Sequence, residues 1–226
     1  MRYEGIERAT FLRRPNRFIA EVLLDGEMVV CHVKNTGRMG ELLLPGVTAY
    51  VQKSDNPKRR TAYTLIAVEK GERIINIDST APNALFGEWL ETTDYFGELT
   101  LIKPEKTFGA SRFDYYLESG TERIFVEVKG VTLERDGHAF FPDAPTERGV
   151  KHLYELIEGK AQGYRAAVAF IVKMEKIDGF SPNEETHPAF GEALRAAQAA
   201  GVEILVIGCW VGADEVQTAA MLPLVL

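Results

Sequence analysis

Cysteine is scarce in this chain, and its scarcity argues against two classes of protein. The 226 residues include two cysteines, Cys31 and Cys209, and four histidines. The cysteines lie far apart and show no metal-ligand spacing, so neither a disulfide framework nor a zinc site is expected. Both lie in or at the end of apolar runs, which is typical of buried free thiols.

Long apolar runs are also absent. No stretch reaches the roughly eighteen apolar residues of a transmembrane helix. Residues 1–5 show no basic-then-apolar leader pattern and pass directly into a strand-like segment. We therefore expect a cytoplasmic protein with no membrane partner. With 46% hydrophobic and 26% charged residues, the composition is that of a globular protein with one large domain or two small ones.

Acidic residues outnumber basic residues overall, but the balance differs between the two parts of the chain. The net charge is −7, yet residues 1–80 carry 13 Lys and Arg against 10 Asp and Glu, whereas residues 81–226 carry 13 against 23. The basic residues cluster in two stretches, of which the first reads as turn-like: Arg13, Arg14 and Arg17, and Lys58, Arg59 and Arg60. Arginine clusters suit phosphate, although many are simply solvated surface. The pattern makes the N-terminal part the candidate DNA-binding surface.

Short strands separated by turn residues fill this N-terminal part. They are expected at residues 18–24, 28–33, 47–53, 61–68 and 73–77, with Asp25-Gly26 as a hairpin turn. Five strands in this length fit an OB-like β-barrel over residues 1–80, a fold that often binds oligonucleotides. The segment Asn35-Thr36-Gly37-Arg38 reads either as a phosphate-contacting loop, with Arg38 supplying the charge, or as a plain turn.

The remainder, residues 81–226, alternates strands and helices. A short helix is expected over residues 84–92, a longer one from about Arg148, and a third over residues 188–200. The apolar run of residues 165–173, the third helix and the run of residues 202–207 follow one another as strand, helix and strand. This order predicts a parallel strand pair within a mixed α/β domain.

The candidate catalytic residues lie on one predicted hairpin. Two alternating runs flank the turn residues 118–122, which predicts antiparallel strands with Asp114 nearly opposite Glu127 and with Lys129 on the same face as Glu127. Two adjacent carboxylates repel each other unless a cation neutralises them, and hard oxygen ligands suit Mg²⁺ or Mn²⁺. Lys129 would then assist the attacking water or stabilise charge on a phosphate. The alternative is a surface hairpin with an ordinary ion pair.

The start of the second helix offers a phosphate site beside this hairpin. Arg148, Lys151 and His152 lie in its first turns, where backbone N–H groups also point outward. Either Asp143 or Thr146 is the expected N-cap. Asp143 and Glu147 are candidate supporting residues for the metal, and His152 is a candidate proton donor or phosphate contact.

Two resemblances extend this interpretation. The spacing of Asp114 and Glu127-Val128-Lys129 resembles the signature of the PD-(D/E)XK nucleases. Several runs along the whole chain resemble the sugar fermentation stimulation protein A (SfsA) family: residues 11–18, 35–38, 111–114, 127–133 and 141–149. The resemblance implies an N-terminal OB-like barrel, a C-terminal restriction-endonuclease-like domain, and binding of single- or double-stranded DNA without marked sequence preference. It also suggests Glu105 as a third metal ligand.

Three functions therefore compete. The first is Mg²⁺- or Mn²⁺-dependent cleavage of phosphodiesters in DNA, with Asp114, Glu127 and Lys129 as the catalytic set. The second is a non-enzymatic DNA-binding regulator that uses a nuclease-like fold, and the third is a scaffold in which these residues form only an ion-pair network. An intact acid, acid and lysine set favours the first, because binding alone has no evident need for two facing acids.

Overall fold

The computed structural model describes residues 1–226 and contains fifteen strands and three helices. The N-terminal sheet has six strands: β1 (Ile6–Asn16), β2 (Ile19–Leu24), β3 (Glu27–His32), β4 (Thr48–Lys53), β5 (Tyr63–Lys70) and β6 (Arg73–Asn76). The strand order is β3-β2-β1-β4-β5-β6, and β3 also pairs in parallel with β5. This additional pairing closes β1 to β5 into a five-stranded mixed barrel, which confirms the OB-like fold.

The membership of the barrel differs from the sequence prediction in one strand. The stretch that contains Arg13 and Arg14 is not a turn but the second half of β1, and the predicted fifth strand is β6, which pairs only with β5. The end of β1 is mostly exposed and rich in arginine and proline, so it lacks the apolar alternation that identifies a half-buried strand. Asp25 and Gly26 do form the predicted hairpin turn, with φ values of 49° and 85° that a two-residue turn requires.

Twelve further elements form the C-terminal part: α1 (Ala81–Thr92), β7 (Leu99–Phe108), β8 (Ser111–Ser119), β9 (Glu122–Val131), β10 (Leu133–Arg135), β11 (His138–Phe141), α2 (Glu147–Ala161), β12 (Arg165–Val172), β13 (Gly179–Pro182), α3 (Pro188–Ala199), β14 (Glu203–Val211) and β15 (Val216–Met221). The main sheet has the order β15-β14-β12-β9-β8-β7, and β9, β12 and β14 run parallel. Strands β10, β11 and β13 form a separate small sheet. The mixed α/β prediction is confirmed.

The main sheet is covered on both faces. Ile124, Val126 and Val128 of β9 pack in the same apolar cluster as α1, whereas Phe125 packs in the cluster that contains Leu153 of α2 and residues of α3. A sheet with helices on both faces buries every residue of its central strands. Glu127, which interrupts the apolar pattern of β9, is therefore buried, and Lys129 is partly buried.

Strands β7, β13 and β15 were not predicted. Strand β7 is the outermost strand of the main sheet and is largely exposed, so its sequence has no buried face to reveal it. Pro104 within it is tolerated because an edge strand has one side without ladder hydrogen bonds. None of the three helices is both long and apolar enough to cross a bilayer.

Polar contacts of buried charged residues join the barrel to the C-terminal part. The Asp78 carboxylate accepts hydrogen bonds from Lys34 Nζ at 2.7 Å and from Thr80, while its backbone carbonyl accepts one from Lys173 Nζ at 2.7 Å. Lys173 is 1% exposed, and burial lowers the pKa of its ammonium to about 8. Glu134 is paired with Lys70 at 2.5 Å, across the same junction. Buried charges at a junction are tolerated only when they are paired in this way.

We expect Asp78→Asn to lower the free energy of unfolding by about 1–3 kcal/mol at neutral pH, because it removes a charge-assisted hydrogen bond. Burial raises the pKa of Asp78, but hydrogen bonds from Lys34 and Thr80 outweigh burial and hold the pKa below its usual value. A lowered pKa in the folded state gives stability that is present above the unfolded pKa of about 3.9 and is lost as the pH falls through the folded pKa.

Urea unfolding of both proteins at several pH values between about 7 and 3 tests this expectation. The difference between wild type and Asp78→Asn should shrink in acid. The matched control is Asp55→Asn, at an exposed loop residue without an ion pair. A difference that does not change with pH would contradict the assigned role of the Asp78 carboxylate.

Candidate functional site

A cleft of about 280 Å³ opens where the start of α1, strands β8 and β9, and the start of α2 meet. Asp114, Glu127 and Lys129 all line it, together with Arg148. The two carboxylates that the sequence predicted on one face of the hairpin thus line the same cleft. The hairpin ladder runs from Ser119↔Glu122 to Tyr115↔Val126, which leaves Asp114 and Glu127 just beyond its last pair.

Asp114 lies where the β8–β9 ladder stops, and its side chain replaces the missing backbone contacts. Its Oδ2 accepts a hydrogen bond from the Val128 N–H at 2.8 Å, and its Oδ1 accepts one from Asn83 Nδ2 at 2.9 Å. Burial and then the negative charge of Glu127 raise the pKa of Asp114 above its usual value. A carboxylate whose pKa is raised by a neighbouring carboxylate lies in a site that favours added positive charge.

Glu127 is 3% exposed and lies beneath α2. Its Oε1 accepts a hydrogen bond from Lys129 Nζ at 2.5 Å and also contacts Nδ1 of His152. Burial raises the pKa of Glu127, but the His152 and Lys129 contacts outweigh burial, and the pKa lies below its usual value. Glu127 is therefore ionised at neutral pH, whereas its Oε2 is buried without any hydrogen-bond partner.

His152 and Arg148 hold Glu127 in place from the helix side. His152 is 3% exposed, and its Nε2 accepts a hydrogen bond from Arg148 Nε at 3.3 Å. Because a guanidinium can only donate, the His152 proton belongs on Nδ1, from which it is donated to Glu127 Oε1. The sequence placed His152 among proton donors or phosphate contacts, but in the structure its two ring nitrogens already contact protein side chains.

The residues present fit a divalent cation. An ionised carboxylate oxygen that is buried without a partner is costly, and a hard cation satisfies it. Asp114 keeps a second lone pair on each oxygen in addition to its hydrogen bonds. However, no group of three or more His, Cys, Asp or Glu side chains is arranged to hold a metal. Asp114 and Glu127 would thus supply two ligands, with water or substrate filling the rest.

The structure does not bring Glu105 to this cleft. Glu105 lies on the exposed strand β7, its side chain is 62% exposed, and it pairs with Arg112 at 3.3 Å. Its backbone φ of 55° departs from strand geometry at this residue. A ligand role for Glu105 rested on resemblance alone, and in the structure its carboxylate forms an ion pair with Arg112 instead.

Thr146 is the N-cap of α2, because its Oγ1 accepts a hydrogen bond from the Gly149 N–H at 3.1 Å. Both Thr146 and Gly149 line the cleft, so the positive end of the helix faces the carboxylates as the sequence predicted.

Three other candidates lie apart from the cleft: Asp143 lines a neighbouring cavity, Glu147 is exposed beside His187, and Lys151 pairs with Glu155.

Arg14 has a role that the sequence did not reveal. Its guanidinium donates hydrogen bonds to the backbone carbonyls of four residues, at 2.7 to 3.0 Å: Arg17, Asn35, Gly37 and Arg38. A single side chain from β1 thereby fixes the shape of the loop at residues 35–38. The terminal nitrogens of Arg14 are consequently already hydrogen-bonded within the protein.

The other arginines of the barrel differ in how much of their charge is available. Arg13 forms a two-pronged ion pair with Glu21, at 2.6 and 3.0 Å. Arg17 is exposed and stacks on the ring of Phe18 at 4.8 Å, and the side chain of Arg38 is exposed without a carboxylate partner. Arg17 and Arg38 are thus the barrel candidates whose charge is still available to a polyanion.

Asn83 is the site residue that sequence reasoning missed. It lies in the first turn of α1 and orients Asp114, and the backbone carbonyl of Asn83 accepts a hydrogen bond from Tyr115 at 2.7 Å. The segment Ala81-Pro82-Asn83 signals a helix start, but no local pattern links it to a strand thirty-one residues later.

Two family models match the chain. The model described as the SfsA N-terminal OB domain matches residues 12–77, and that described as the sugar fermentation stimulation protein RE domain matches residues 80–215. The chain belongs to the sugar fermentation stimulation protein (SfsA) family. A homologue from Desulfitobacterium hafniense is 57% identical over 217 residues, which cover 96% of this chain and 95% of the relative.

Other members of the SfsA family agree. A homologue from Ruminiclostridium cellulolyticum is 53% identical over 92% of each chain. The solved structure described as Pyrococcus furiosus SfsA in complex with Ca²⁺ is 30% identical and superposes with a TM-score of 0.91, covering 100% of this chain and 98% of that one. The family, the N-terminal OB-like barrel and the C-terminal mixed sheet inferred from the sequence are confirmed.

Proposed function

We propose that this SfsA protein binds DNA with little sequence preference and cleaves its phosphodiester bonds with the help of Mg²⁺ or Mn²⁺. The observation that carries the proposal is the buried, unpartnered Oε2 of ionised Glu127 beside Asp114, in a cleft that also contains Lys129. Two neighbouring acidic side chains repel each other in the free protein. A bound cation would offset that repulsion and so accounts for the arrangement.

Each residue of the cleft has a part in this activity. A bound cation would supply charge stabilisation at the phosphate and lower the pKa of a water molecule. Asp114 and Glu127 hold that cation, and Asn83 and His152 keep the two carboxylates in place. Lys129 lies beside Glu127 and stabilises the charge that develops on the phosphate. The exposed guanidinium of Arg148 binds a neighbouring phosphate at the positive end of α2.

DNA as the substrate is supported by the barrel and by the charge distribution. OB-like barrels bind single strands through basic grooves and aromatic side chains, and Arg17 on Phe18 presents both features on the barrel surface. The Pyrococcus furiosus relative is described as a complex with Ca²⁺, which supports a role for a hard divalent cation here.

One observation favours the rival, a DNA-binding regulator that does not cut. Lys129 and His152 both contact Glu127 Oε1, so the negative charge of this residue is already partly neutralised without a metal. An ion-pair network of this kind can persist in a protein that has no hydrolytic task. The two functions differ in whether the purified protein consumes DNA.

The test is incubation of purified protein with plasmid and with single-stranded DNA, in Mg²⁺, Mn²⁺ or EDTA. We expect cleavage with either cation and none in EDTA, together with Mn²⁺ uptake by calorimetry at neutral pH. Restoring excess Mn²⁺ after EDTA should restore cleavage. Retardation of DNA in a gel without cleavage in any cation would instead establish the regulator.

A further inference from the structure

A second cavity adjoins the catalytic cleft and has no part in the proposed cleavage. It encloses about 400 Å³, and four residues form a wall that it shares with the cleft: Ser79, Pro82, Gly130 and Thr146. Small-molecule pockets span about 300–1,000 Å³, so this cavity has room for a single small planar group. A group bound in the cavity would lie directly beside a phosphate bound in the cleft.

The cavity is roofed by the barrel. Gly37 approaches the far wall so closely that an added Cβ would lie 2.5 Å from Asp143 Oδ2. Arg14, which holds four carbonyls around this loop, fixes the roof. Because the roof comes from β3–β4 loop residues and the floor from the C-terminal part, the cavity exists only in the assembled two-part protein.

The chemistry of the lining suits a nucleobase rather than a phosphate. Asn35, Thr132 and Asp143 offer amide, hydroxyl and carboxylate groups, and the half-buried ring of Phe140 offers a surface for stacking. The ring of Phe141 packs on Phe170 and Phe190 in the core. The cation in the lining, Lys173, already donates to the Asp78 carbonyl. A carboxylate without a free cation repels phosphate, whereas it accepts hydrogen bonds from the amino groups of bases.

We propose that this cavity receives one unpaired nucleobase of the DNA strand whose phosphate lies in the catalytic cleft. The proposal rests on the proposed function, because it assumes that the cleft binds a phosphate of the same strand. A base inside a duplex cannot enter a cavity of this kind without leaving its partner and its stack, which costs free energy. The protein therefore prefers single strands, frayed ends or mismatched positions to intact duplex.

Thr36→Trp tests the proposal by blocking the mouth of the cavity. Thr36 is exposed, lines the cavity but not the catalytic cleft, and makes no side-chain hydrogen bond. Affinity is measured by fluorescence anisotropy in Ca²⁺ with a labelled oligonucleotide, as a single strand and as a blunt duplex. We expect wild type to favour the single strand by about tenfold or more, the order of one base–aromatic stack.

In Thr36→Trp that preference should be lost through weaker single-strand binding, with duplex affinity unchanged. Ala144→Leu, which fills the cavity from the opposite wall, should act in the same way and guards against a folding defect in the first variant. Thr107→Trp is the matched control, since Thr107 is exposed on β7 and lines neither cavity. It should retain the wild-type preference.

The proposal is overturned if wild type binds both forms equally, or if both cavity variants keep the single-strand preference. Mn²⁺ uptake and plasmid cleavage, measured on the same preparations, report separately on the catalytic cleft. A wild type that takes up Mn²⁺ and cuts without preferring single strands refutes the base cavity alone. A wild type that neither takes up Mn²⁺ nor cuts, but loses single-strand binding in the cavity variants, refutes the nuclease activity alone.

Discussion

Glu127→Gln is expected to lower the metal-dependent rate of DNA cleavage by at least about 1,000-fold. The substitution keeps the shape of the side chain but removes the negative charge that would hold the cation, and charge stabilisation by a metal contributes several kcal/mol to such reactions. Mn²⁺ uptake measured by calorimetry should be lost together with cleavage. The melting temperature is followed in parallel, because the substitution also leaves Lys129 and His152 without their carboxylate.

Glu122→Gln is the matched control, since Glu122 begins the same strand and is exposed, where it pairs with Arg165. It should cleave and bind Mn²⁺ like wild type. Undiminished cleavage by folded Glu127→Gln would mean either a contaminating nuclease or a different catalytic centre. In both cases the assignment of the cleft would be abandoned.

Lys129→Met is expected to separate cleavage from metal binding. Loss of the ammonium should lower the cleavage rate by about 100- to 1,000-fold, the typical loss when one preorganised group that stabilises transition-state charge is removed. Mn²⁺ uptake should persist, because the lysine contributes no ligand and its removal makes the site more negative. The measurements are single-turnover cleavage of a labelled oligonucleotide and calorimetric titration with Mn²⁺.

Lys103→Met serves as the control, at an exposed residue of strand β7 outside the cleft. Its cleavage rate should match that of wild type. If Lys129→Met lost Mn²⁺ uptake together with cleavage, the lysine would be organising the carboxylates rather than acting on the phosphate. A rate equal to that of wild type would remove Lys129 from the catalytic set.

The parts of the fold that could be predicted are those whose sequence carries a local signal. The turn between β8 and β9 and the apolar alternation of Ile124, Val126 and Val128 predict Asp114 beside Glu127, and in the structure both line one cleft. Strand β7 had no such signal, because an exposed edge strand has no buried face. The second half of strand β1 was missed for the related reason that its arginine-rich end resembles a turn.

The parts of the site that could not be predicted depend on contacts between distant segments. Nothing near Arg14 indicates that it binds four carbonyls, and nothing near Asn83 indicates that it orients Asp114. His152 was noticed, but which of its nitrogens faces Glu127 follows only from how α2 packs on the sheet. Residue type and spacing thus identified the chemical groups, whereas their partners required the tertiary structure.

The contacts of the buried carboxylates Asp78 and Glu134 imply that salt acts on this protein in two separable ways. Contacts between arginine and DNA phosphates weaken steeply with ionic strength, because bound counterions are no longer released into dilute solution. The carboxylates of Asp78 and Glu134 are buried, so their ion pairs with Lys34 and Lys70, which are partly exposed, are screened less. If the protein binds DNA as proposed, a salt gradient should therefore release the nucleic acid while the contacts between the two parts of the protein persist.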